Sequence, residues 1–105
     1  MRSLYNRLRD KNVGGIPYRE AVQLFLWVYC TNDILPSDLK HENTSRENLV
    51  EIFSKLTADN IITNLPSEFG NVVAPRLNWD GLVTKLLSKD IHLDPEFPKR
   101  IAKFF

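Results

Sequence analysis

Cysteine is almost missing from this chain. Cys30 stands alone, so no internal disulfide can form. Its place in an apolar run predicts a buried, reduced thiol. Long apolar runs are missing too: the longest extends only from Leu24 to Cys30, far short of the roughly 20 residues of a membrane-spanning helix. The start, Met1-Arg2-Ser3-Leu4-Tyr5-Asn6-Arg7, lacks the apolar stretch of a secretory signal. A cytoplasmic setting with no membrane attachment is expected. Nor is charge of one sign in excess. Lys and Arg number 14 against 13 for Asp and Glu, a net charge of +1, whereas a dedicated nucleic-acid binder usually carries a clear basic surplus.

Catalytic groups are as scarce. The two histidines are His41 and His92, and neither has Cys, His, Asp and Glu around it at a metal-ligand spacing. His92 lies near Asp90 and Asp94, where a surface position in a helix connection is the simpler reading. Nothing in the spacing joins Cys30 to a histidine as a nucleophile and base. Gly14-Gly15 lacks the Lys-Ser/Thr and the preceding strand of a phosphate loop, so it reads as a chain reversal. No metal, no cofactor and no enzymatic chemistry are expected.

What is present is an ordinary globular composition, 43% hydrophobic and 26% charged over 105 residues. Such a chain can bury a core without staples, and residues 1–105 read as a single domain. Its apolar residues recur mostly at helical spacing. Leu4, Tyr5 and Leu8 mark a first helix over residues 2–11. Pro17 opens a second, Tyr18–Cys30, in which Ala21, Val22, Leu24, Phe25, Leu26, Trp27, Val28 and Tyr29 predict a central helix packed on several sides. Ile34–Leu39 reads as a short turn with Ser37 as a cap. Thr44-Ser45-Arg46-Glu47 fits a capping box ahead of the stripe Leu49, Ile52, Phe53 and Leu56. Asn78 caps a helix bearing Trp79, Leu82, Val83, Leu86 and Leu87, interrupted by Gly81. Asp94-Pro95 starts a last helix with Phe97, Ile101, Phe104 and Phe105 apolar, and Pro98 falls in its first turn, where proline is tolerated.

Residues 57–77 admit two readings. Thr57 could cap a further helix with Ile61, Ile62, Leu65 and Phe69 on its apolar face, and a helix over 58–65 followed by a loop is favoured. The same residues could instead form a strand at Ile61–Leu65, a turn, and a second strand at Val72–Leu77. Pro66 and Pro75 weaken that hairpin, because proline has no ladder donor. The expected fold is therefore all-α, one bundle of six or seven short helices, with a winged helix carrying a small β-hairpin at 61–77 as the alternative.

Two resemblances follow these readings. Leu24-Phe25-Leu26-Trp27, Asp33–Leu39, Asn48–Leu56 and Leu82–Leu87 together resemble the apolar helices and turns of death effector and bacterial death-like domains. That resemblance implies a bundle of about six helices acting as an adaptor, and it assigns no binding residue. Leu35–Leu39 followed by Thr44–Ile62 is also similar to the helix-turn-helix of winged-helix proteins. That similarity implies a dimeric nucleic-acid-binding protein whose recognition helix presents Ser45, Arg46, Asn48 and Lys55. Arg and Asn are good base readers, while Glu47 and Glu51 on the same helix would repel phosphate.

The leading expectation is an interaction or adaptor domain acting through charged helix faces. Arg2, Arg7, Arg9 and Lys11 mark one end of the chain, and Lys99, Arg100 and Lys103 the other. If the ends meet, as they often do in one domain, these clusters merge into one basic surface. Asp33, Asp38, Glu42, Glu47 and Glu51 would supply an acidic surface elsewhere. A basic and an acidic face on one small domain suit a protein partner or head-to-tail self-association.

Overall fold

The computed structural model describes residues 3–65, 78–89 and 93–105. Helix α1 (Leu4–Lys11) begins where the Ser3 hydroxyl accepts the Asn6 N–H. A Glu42 carboxylate oxygen accepts the Leu4 N–H at 2.8 Å. A helix start leaves such donors without partners, and a carboxylate there also meets the positive end of the helix dipole. Leu4 and Leu8 are its buried pair. The chain then reverses through Gly15, whose φ is +102°. A Cβ at Gly15 would sit 2.5 Å from Thr63 Cγ2, so both backbone conformation and close approach demand glycine.

That approach reflects a contact between distant segments. β1 (Ile16–Pro17) pairs in parallel with β2 (Ile62–Thr63), Ile16 opposite Ile62 and Pro17 opposite Thr63. The Ile16 N–H donates to the Ile61 carbonyl at 2.6 Å.

Helix α2 (Tyr18–Cys30) follows Pro17 directly and buries Ala21, Leu24, Phe25, Leu26 and Val28. Leu24 and Leu26 fall on opposite sides of the helix and both are buried, so α2 is packed on several sides as its composition predicts. Trp27 and Tyr29 are half-buried, and Cys30 is exposed rather than buried. It is the last residue of the helix. Ser37 does not cap; it opens a short 3-10 turn, Ser37–Leu39, without a side-chain capping bond.

Helix α3 (Arg46–Ala58) starts one position later than the Thr44 capping box implies. Ser45 is the cap, its hydroxyl accepting the Asn48 N–H at 3.3 Å. Leu49, Ile52, Phe53 and Leu56 are buried, as their spacing predicts. Ser45→Ala is expected to lower the unfolding free energy by about 1 kcal/mol. Thr44→Ala should stay within about 0.5 kcal/mol of the parent. Urea denaturation of both variants checks the assignment, and the reverse order would restore Thr44 as the cap.

The favoured helix over 58–65 is corrected. Asn60 has φ +61°, its N–H donates to Thr57 O at 3.1 Å, and the Ile61 N–H donates to Leu56 O at 2.9 Å. This pair of bonds around a left-handed residue is the Schellman arrangement that stops a helix. Thr57 is thus inside α3 and buried, not the cap of another helix. The strand at Ile62–Thr63 pairs with β1, while the second strand of the hairpin alternative, Val72–Leu77, lies outside the described residues.

Helix α4 (Trp79–Leu87) is capped by Asn78 as expected, its side-chain oxygen accepting the Gly81 N–H at 2.9 Å. A Cβ at Gly81 would lie 2.9 Å from Asn78 Nδ2, so the glycine leaves room for the cap that crosses it. The last expected helix is divided. Asp94 accepts the Glu96 N–H through its side chain and the Phe97 N–H through its carbonyl. Helix α5 (Phe97–Arg100) follows, and a 3-10 turn, Ile101–Phe104, ends the chain. The described residues thus hold five α-helices rather than six or seven, with three 3-10 turns and one two-stranded parallel sheet. The fold is mostly helical. No helix among the described residues is long and apolar enough to cross a membrane.

Every buried apolar side chain among the described residues except Leu26 belongs to one cluster. At its centre the Trp79 ring stacks on Phe25 (5.7 Å between centroids, 1° between planes) and tilts against Phe53 at 5.2 Å. The Trp79 indole N–H donates to the Thr57 hydroxyl at 2.9 Å, and that hydroxyl donates to Phe53 O. Helices α2, α3 and α4 therefore meet on one residue.

Candidate functional site

The two ends of the fold are joined. Asn12 Nδ2 donates to Phe104 O at 3.1 Å, and Arg7 Nη1 donates to Phe105 O at 3.2 Å. Phe104 and Phe105 are buried. The basic clusters at the ends thus come together, but their members differ in what they are free to do. Arg7 is bound inside the fold: its side chain is 16% exposed and forms an ion pair with Asp38. Arg9 pairs with its neighbour Asp10 at 3.1 Å and lies over the Tyr5 ring. Lys99 pairs with Glu96 at 3.0 Å. Arg100 is clamped by Asp94 at 2.8 Å and Glu20 at 3.4 Å, and the bond to Asp94 chiefly raises its pKa above the usual arginine value. Arg2 lies outside the described residues. That leaves Lys11 and Lys103, both exposed and without an ion pair among the described residues.

Two positions beyond Lys11 stands a residue that composition and periodicity passed over. Val13 is 83% exposed. It follows Asn12, whose side chain holds Phe104. Its signal was a lone apolar residue in a turn, between Asn12 and Gly14-Gly15.

The helix expected to read bases is engaged within the chain. The Ser45 hydroxyl caps α3. Arg46 Nε reaches Asp80 Oδ1 and its Nη2 reaches Asp80 O, both at 3.0 Å, with a further bond to the Thr84 hydroxyl. The guanidinium therefore ties α3 to α4. Asn48 Nδ2 donates to Asn43 O, and Lys55 pairs with Glu51 at 3.4 Å. The expected acidic surface is similarly divided. Asp38, Glu42 and Glu51 have partners in the chain, while the carboxylates of Asp33 and Glu47 are exposed and form no ion pair among the described residues.

Tyr5 bridges α1 and the end of α3. Its hydroxyl donates to the Asp59 carboxylate, and Lys55 lies 6.0 Å from its ring. The bond to Asp59, with burial adding, raises the phenol above its ordinary pKa, so it is a protonated donor at neutral pH.

Two hollows lie among the described residues. One, of about 470 Å³, runs between α2, α4 and the Asp94–Arg100 segment, with Tyr18, Val22, Leu82 and Leu86 as its apolar lining and Arg19 beside them. The other, of about 480 Å³, lies on α3 and is lined by Val50, Ser54, Ala58 and Trp79, among others.

Comparison with family models, with curated proteins and with solved structures gives no match to this chain. The reading of the site therefore rests on its own chemistry. Among the described residues no group of three His, Cys, Asp or Glu side chains could hold a metal ion, and His41 and Cys30 are exposed and apart in the chain. Among the described residues the surface offers Lys11 and Lys103 without an ion pair, Lys103 lying 5.1 Å from the Phe104 ring, and one large apolar side chain exposed, Val13.

Proposed function

We propose that this chain is a non-enzymatic protein-interaction domain of the adaptor kind, and that its contact face is the joined ends of the fold. The observation that carries this is the Asn12 to Phe104 hydrogen bond, which gathers Lys11, Val13 and Lys103 at one end of the molecule. An exposed apolar side chain among cations that no internal carboxylate neutralises suits an acidic protein surface, with an apolar centre and a charged rim. The resemblance of the apolar helices to death-fold adaptors supports the same reading. Nucleic-acid binding is less favoured, because Arg46 is held by Asp80 and Thr84.

A backbone-amide NMR titration with a flexible Asp/Glu-rich peptide tests it. Shifts are expected around Lys11, Val13 and Lys103, weakening as salt screens the contact. Lys11→Glu combined with Lys103→Glu should weaken binding about tenfold or more. Duplex DNA that binds with a steep salt dependence, and loses affinity in Arg46→Ala, would overturn the proposal in favour of the winged-helix reading.

A further inference from the structure

We draw no further inference here: the strongest candidate, the apolar hollow between α2 and α4, has a charged lining in which Arg19 and Arg100 balance Glu20 and Asp94, and nothing in the structure shows what covers it.

Discussion

Trp79→Ala is expected to lower the unfolding free energy by about 3–5 kcal/mol. The indole stacks on Phe25 and tilts against Phe53, and its N–H meets the buried Thr57 hydroxyl. Truncation removes the largest buried side chain, leaves a cavity among three helices and deprives Thr57 of its donor. A domain of this size has a total stability of about 5–15 kcal/mol, so the variant should stand near the edge of folding. Urea denaturation followed by far-UV circular dichroism measures the loss. Trp79→Phe is the informative companion. It keeps an aromatic ring against Phe25 and removes the indole N–H, while Thr57 still donates to Phe53 O. Its cost should fall well below that of alanine. A loss under about 1 kcal/mol for Trp79→Ala would mean that the residue is not the junction of α2, α3 and α4.

Gly15→Ala is expected to destabilise by about 2 kcal/mol or more, whereas the same change at Gly14 should be neutral or stabilising by up to about 1 kcal/mol. The positions are adjacent and equally glycine, so composition cannot separate them. At Gly15 the backbone is left-handed, and a methyl group would press on Thr63 Cγ2 at 2.5 Å and the Ile61 carbonyl at 3.3 Å. Relief would require β1 and β2 to move apart, opening the Ile16 to Ile61 hydrogen bond. A Cβ at Gly14 meets nothing within 4 Å, and a methyl group there restricts the unfolded chain. Paired thermal melts give the comparison, and equal losses at both sites would contradict the parallel pairing of β1 with β2.

The distance of each residue from its partner decided how legible it was. The stripe Leu49, Ile52, Phe53 and Leu56 and the Asn78 cap were visible because their partners lie within one helical turn. The end of α3 was also encoded locally, in Asn60 followed by Ile61, a left-handed residue and its apolar successor. The apolar run Ile61-Ile62 obscured it by matching a helical spacing. Cys30 was misplaced because an apolar neighbourhood in sequence is not one in space. The candidate site was the least legible part. Arg7, Arg46 and Arg100 look as available in the sequence as Lys11 and Lys103, yet Arg46 meets Asp80 34 residues away and Arg100 meets Glu20 80 residues away.

The sequence by itself determined that this is a mostly helical chain, where most of its helices begin, and which residues of α1 and α3 face the core. Those properties follow from capping groups and from apolar spacing over a few residues, which act whatever the rest of the chain does. Only the tertiary structure decided that two short segments pair as parallel strands, that the ends of the chain meet, and which cations remain uncommitted. Each of these depends on groups brought together from far apart in the chain, and no local pattern specifies which distant carboxylate or carbonyl will be the one within reach.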